Sequence, residues 1–313
     1  MLSVVGRRLA TIVPMLLILI LGVLLLMDLT PGDPAAIVAG DNATAQDIEE
    51  TRERLGLNDS ILERYVGYLG DLARGDMGTS LYTNRPVSEA ILAALPVTLW
   101  LTFLALAVAL LVAVPLGVLA AVKRGSAFDR IISSVSAGAM AAPPFAIGLL
   151  LVTVFAVNRS WFPAGGYVAL GEDPTGWALS VTLPALALAV DPAAELVRQT
   201  RGAVVDVLER DYVQTAVAMG IPRRVVIAKY AGKNAAVPVV TVLGLQAARV
   251  LGGAVVIELI FTLPGLGSEA LNAVLYHDYP MIQGIVLVSA ALILLMNLIV
   301  DASYTYFDPK LRG

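Results

Sequence analysis

The sequence of 313 residues contains no cysteine and a single histidine. The first absence excludes a disulfide-stapled secreted domain and a thiolate zinc site; the second removes most histidine-ligated metal chemistry. Charge is scarce too, at 15% of residues, against roughly 25% in an ordinary soluble domain. A net charge of −4 gives no sign of nucleic-acid binding. No Gly-x-x-x-x-Gly-Lys-Ser/Thr sequence occurs, so the chain has no recognisable phosphate loop and is not expected to hydrolyse ATP itself. His-Glu-x-x-His and Gly-x-Ser-x-Gly are also missing, which puts an intramembrane enzyme last among the alternatives. What abounds is apolar: 58% of residues are hydrophobic and the mean hydropathy is +0.81. That composition fits an all-α polytopic membrane protein.

A hydrocarbon core of about 30 Å takes roughly 20 apolar residues per helix. Six stretches qualify: one within residues 1–30, then about 95–122, 131–157, 177–197, 235–262 and 279–304. The first run is longer than the ~7–15-residue core of a signal peptide and is not followed by a small-residue cleavage site, so it reads as a retained span. An inside N-terminus places Arg7, Arg8, Lys123, Arg124, Arg130, the bases of 198–233, Lys310 and Arg312 on the cytoplasmic side, and leaves only Arg159 in the short outer loops. This distribution follows the positive-inside rule and puts both termini in the cytoplasm.

Residues 31–94 form a long, net acidic outer segment. Thr30-Pro31-Gly32-Asp33-Pro34 breaks the first helix. Asp59-Ser60 is placed to cap a helix over Ile61–Ala73, where Ile61, Leu62, Tyr65, Tyr68, Leu69 and Leu72 recur at helical spacing. Gly75, Gly78 and Pro86 mark irregular structure. A small helical cap over the outer face is expected, either a solvated connector or a docking surface. Leu263-Pro264-Gly265-Leu266-Gly267 ends the fifth span, and Ser268 is expected to cap a short surface helix after it. The core then occupies 95–306, with a tail at 307–313.

The most informative stretch is the inner segment 205–233. Asp206–Ala218 has a helical pattern, Gly220 suits a left-handed C-terminal cap, and Pro222 suits the start of a second helix, Arg223–Ala231. An amphipathic element lying in the membrane interface is one reading. The sharper one is a rigid lever that inserts into a groove on a soluble partner. Ala216, Ala218 and Gly220 would permit close backbone approach, and Arg223 and Arg224 would supply charge complementarity.

Tyr212-Val213-Gln214-Thr215-Ala216-Val217-Ala218-Met219-Gly220, with Asn234 and Val237-Pro238 downstream, resembles the coupling motif of ABC importer permeases. That motif reads Glu-Ala-Ala, three residues, Gly, then Leu-Pro. Gln214 and Thr215 replace the Glu and first Ala, a departure that resembles the dipeptide/oligopeptide branch. Thr30–Pro34, Arg74-Gly75-Asp76-Met77-Gly78, Arg85-Pro86-Val87, Leu263–Gly267, Asp278-Tyr279-Pro280 and Asp308-Pro309-Lys310 resemble the same branch in the same order. The resemblance implies a type I ABC importer transmembrane fold in a multi-pass subunit of the cytoplasmic membrane. It further implies a second homologous permease subunit and two ATPase subunits, separate or fused, that hold ATP and Mg. An extracytoplasmic binding protein would deliver dipeptides or oligopeptides. Relatives reported to carry nickel chelates, haem or sugars leave the solute open. This chain would bind no cofactor. The ATPase-coupling role would fall on Asp211, Tyr212, Gln214, Thr215, Ala216, Gly220, Pro222, Arg223, Arg224 and Lys229.

Ionisable groups inside a bilayer are costly and face a bundle interior or an aqueous path. Asp191, Glu195, Arg249 and Glu258 are the candidates for a path or gate, with an ion pair between Arg249 and an acid of the fourth span as the structural alternative. Asp301 is expected to pair locally. His277 has no companion imidazole or thiol nearby in sequence, so no metal site is expected. A proton-coupled secondary transporter using Asp191 and Glu258 is the rival class; it would favour two inverted halves, and none is evident.

Overall fold

A computed structural model describes residues 2–29, 33–40, 43–54 and 56–307. Pro31, Gly32 and the Asp308-Pro309-Lys310 tail lie outside them. In chain order the α-helices are α1 (Leu2–Leu29), α2 (Pro34–Ala39), α3 (Ala45–Arg54), α4 (Ile61–Ala73), α5 (Val87–Val122), α6 (Ala127–Ala141), α7 (Pro144–Leu151), α8 (Pro174–Leu208), α9 (Asp211–Ala218), α10 (Arg223–Val225), α11 (Gly232–Ile260), α12 (Leu266–Leu275) and α13 (Tyr279–Phe307). Two wider π-type turns, Val152–Val157 and Val226–Ala231, follow α7 and α10. Among the described residues, five helices are long and apolar enough to span a membrane. A sixth span exists if α6 and the Pro144–Val157 segment count together, for they are bent by 100°. The bend falls at Pro143-Pro144, where two successive residues lack a backbone donor.

The chain divides into two compact units, one of residues 1–5, 98–264 and 295–313, the other of 6–97 and 265–294. In the first unit α8 is central and packs on α6, α7 and α11. Asp173 caps it by accepting the Thr175 N–H at 2.9 Å, and Pro174 fills its first position. The helix runs to Leu208, well past the expected end near residue 197. Val197, Thr200, Val204 and Val207 explain this: they continue a buried stripe at helical spacing while Arg198 and Asp206 point outward.

In the second unit, Ser60 and Glu63 form a reciprocal capping box at the start of α4. Tyr65, Tyr68, Leu69 and Leu72 then pack on Leu16, Ile20 and Leu24 of α1 and Leu287 of α13. The Tyr65 hydroxyl donates to the Leu17 carbonyl at 3.2 Å, and Arg64 pairs with Asp28 at 2.6 Å. The outer segment is therefore packed structure rather than a free connector. α5 begins at Val87 rather than near residue 95, because Val87, Ile91 and Ala94 form an apolar stripe against Leu266, Ala273, Met281 and Ile285. Burying side chains such as Val87 and Ile91 contributes about 1.5–3 kcal/mol each. The contact requires Gly284: a Cβ there would come within 2.5 Å of Val87 and 3.0 Å of Ile91. Ser268 lies inside the first turn of α12 and accepts the Gly265 N–H at 3.0 Å, so the helix starts three residues earlier than expected.

Candidate functional site

The inner segment is helix, turn, helix, with boundaries that differ from the sequence expectation. α8 ends at Leu208 with Glu209 as its C-terminal cap, and α9 starts anew at Asp211 after Arg210 adopts extended backbone. α9 closes in a left-handed turn: Gly220 has φ 76°, Met219 N–H donates to Thr215 O at 3.0 Å and Ile221 N–H to Ala216 O at 3.2 Å. Pro222 then leads into α10, which passes through the wide turn into α11 without a break.

What fixes this element is small and apolar. Val213 and Ala216 of α9 bury against Val207 and Val226, with Leu208 and Ile221 beside them. Ala216 therefore faces inward and is not part of the contact surface that its small size suggested. Gln214 donates to the Glu209 carbonyl at 3.2 Å, Thr215 to the Asp211 carbonyl at 2.8 Å, and Glu209 pairs with Arg124. The outward face carries Asp211, Tyr212, Ala218, Gly220, Pro222, Arg223, Arg224 and Lys229. Sequence reasoning missed its apolar tip, where Val217 is 52% and Met219 70% exposed. Their one signal is position: both fall off the buried 213/216 stripe.

The four intramembrane candidates do not converge on one ionic cluster. Glu195 pairs with Arg198 on its own helix at 2.7 Å. Glu258 is fully buried and accepts the Thr98 hydroxyl at 2.6 Å. Asp191, half-buried, and Arg249, exposed, have no hydrogen-bond or ion-pair partner among the described residues. The expected pairing of Arg249 with an acid of α8 is thus not formed. An unforeseen pair lies elsewhere: Arg201 grips Asp129 through Nε at 2.5 Å and Nη2 at 2.8 Å, while Asp129 also accepts the Gly125 N–H at 2.9 Å. The two partners lie 72 residues apart in the chain. Among the described residues no group of His, Asp or Glu could hold a metal ion.

In the second unit, residues 78–87 turn back on themselves through Val87 N–H to Gly78 O at 3.0 Å and Ser80 N–H to Arg85 O at 2.9 Å. This loop is latched by Asp278, 2% exposed. Asp278 accepts the Ser80 hydroxyl, the Leu81 N–H at 3.1 Å and the Met281 N–H at 3.4 Å. Beside the latch, Tyr82 and Tyr276 stack with ring centroids 3.8 Å apart. A groove of about 650 Å³ includes Asp59, Glu63, Asp71 and Asp76 in its lining.

A multi-span helical chain with a rigid exposed helical element and a packed acidic segment has the make-up of a membrane permease subunit. Residues 113–313 match the family described as binding-protein-dependent transport system inner membrane component, and residues 1–102 match its N-terminal companion. The chain belongs to this family, and its fold is that of the type I ABC importer permeases. The glutathione transport system permease protein GsiC of Escherichia coli is 38% identical over 312 residues, covering 100% of this chain and 99% of that protein. The dipeptide transport system permease protein DppB of Alkalihalophilus pseudofirmus is 37% identical over 332 residues, covering 100% of both.

Proposed function

We propose that this chain is the first of two permease subunits of an ATP-driven peptide importer in the cytoplasmic membrane. Dipeptides or oligopeptides would arrive on an extracytoplasmic binding protein. Two ATPase subunits, separate or fused, would bind ATP and Mg and dock on the 209–231 element. The observation that carries this reading is that element itself: a helix pinned from behind by Val213 and Ala216 and presenting Val217, Met219, Arg223 and Arg224 outward. An apolar knob rimmed by cations fits a groove on a soluble partner better than it fits water.

Pinning makes the element a lever. Because α9 is tied to α8 and the 226–231 turn, a displacement of its tip is passed to α8 and α11 rather than absorbed. Nucleotide binding by the partners would draw the element inward and open the outer side, provided that the partners' two states contact it differently. The acidic lining of the outer groove supports docking of the binding protein on the second unit. Asp191, Glu195, Arg249 and Glu258 would belong to the path or its gate; Glu258, being buried, would enter the path only after a rearrangement.

The test is co-purification with the ATPase subunits and ATP-dependent peptide uptake by the reconstituted complex. Met219→Glu is expected to leave thermal stability within about 0.5 kcal/mol of the wild type, as an exposed substitution does, and to abolish ATPase association. Uptake that survives ATP depletion and collapses with the proton gradient would overturn the proposal in favour of a secondary transporter.

A further inference from the structure

Arg249 stands eleven residues before the end of α11 at Ile260, roughly 16 Å of helix, and so near the middle of the Ala235–Ile260 span. Its side chain is exposed and has no partner among the described residues. It shares one face of α11 with Leu245, Gly252, Val256 and Leu259, all exposed at helical spacing. A guanidinium remains protonated under any physiological condition, and at this depth it cannot face lipid without a large penalty. The face must therefore meet water or protein.

Elsewhere in the first unit Glu195 is answered by Arg198, Arg201 by Asp129 and Glu258 by the Thr98 hydroxyl, while Asp191 on α8 pairs with none of the described residues, Arg249 included. The Arg249 strip contains no acid and no described acid pairs with it, which leaves the guanidinium open to a counter-charge from outside the chain. Gly252, one turn away, is exposed and carries no side chain to crowd the guanidinium. A planar fork of donors with free space next to it matches a carboxylate approached edge-on.

Resting on the peptide-import reading above, we propose that Arg249 is a transit site for the terminal carboxylate of the peptide. Side chains vary from one peptide to the next, whereas this carboxylate does not. One cation set in an otherwise apolar strip holds it without sequence preference. With no second donor residue on the strip, it also releases it readily.

The test uses the complete complex with its binding protein in liposomes, and labelled trialanine beside its C-terminal amide. The ratio of the two uptake rates cancels the binding protein's own preference. In the wild type the free acid is expected to be favoured. In Arg249→Gln the ratio should fall about tenfold, the scale of one charge-assisted contact; Arg249→Lys should keep most of the ratio. An unchanged ratio overturns the proposal. So does an Arg249→Gln complex that no longer retains the second permease subunit, since Arg249 would then be an interface ion-pair residue. If the wild-type complex takes up neither peptide with ATP, the peptide reading itself fails, and the proposal with it.

Discussion

The 209–231 element and the Asp278 latch are both turns beyond helix ends, yet opposite chemistry holds them. The first is fixed by four small apolar side chains and one left-handed glycine. Its polar groups point outward, so most of its surface can change without disturbing its shape. The second is fixed by a buried carboxylate that satisfies three donors at once. Apolar pinning leaves most of the surface free to evolve a partner contact, because apart from Gly220 the residues that fix the element face inward. A buried polar latch demands one residue type, because each donor it satisfies becomes a liability when it is gone.

The largest expected effect falls on the latch. Asp278→Ala leaves the Ser80 hydroxyl and two backbone N–H groups without an acceptor in a buried site, at a cost of about 3–5 kcal/mol. Thermal unfolding in detergent should show it, and a loss below 1 kcal/mol would mean that water replaces the carboxylate. Next is Gly220→Val. A β-branched residue at φ 76° is strained, by about 1–2 kcal/mol for the left-handed conformation alone. The turn should reopen, so uptake should drop steeply while the subunit still inserts. Normal ATP-driven uptake by this variant would show that the lever tolerates a distorted tip.

A smaller effect is expected at the stacked pair. Tyr82→Ala removes one ring of the Tyr82–Tyr276 stack, worth about 0.5–1.5 kcal/mol. It should be additive with changes at the 209–231 element, and a double-mutant cycle would measure any departure. The smallest effect concerns pH. The Ser60 hydroxyl and N–H hold the Glu63 carboxyl below its ordinary value of 4.5. A group with a depressed folded value stabilises the start of α4 above that pH and loses its contribution as pH falls through the lowered value. The chain lacks cysteine, so a single spin label at Leu62→Cys would report it. Mobility at the helix start should rise in acid, and equal mobility at pH 7 and pH 3 would show that packing by Tyr65 and Leu69 alone suffices.

Much of the fold is legible in the residues. Uninterrupted apolar runs locate the spans, and Ser60 with Glu63 announces α4 because a capping box is local chemistry. Gly220 and Pro222 mark the turn for the same reason. The end of α8 was harder to place, because Arg198, Arg201 and Asp206 lower its hydropathy while Val204 and Val207 still bury. The start of α5 was hidden similarly, since Glu89 sits among residues whose burial depends on α12 and α13. For the candidate site, the 209–231 segment was readable as an element, but which of its faces is anchored was not. Ala216 and Ala218 look alike in sequence, and only the packing of Val207 and Val226 turns one inward.

By itself, then, the sequence determined that this is a polytopic helical membrane protein without its own phosphate loop, and where its polar segments lie. Bilayer thickness, backbone donors and left-handed glycines act over a few residues or a single helix, and leave their mark in order along the chain. Tertiary structure alone decided which charges are answered and which are not. Asp129 finds Arg201, Glu258 finds Thr98, Ser80 finds Asp278, and Arg249 finds none of them. Pairing depends on distance in space, and residues 72, 160 or 198 positions apart carry no local trace of one another.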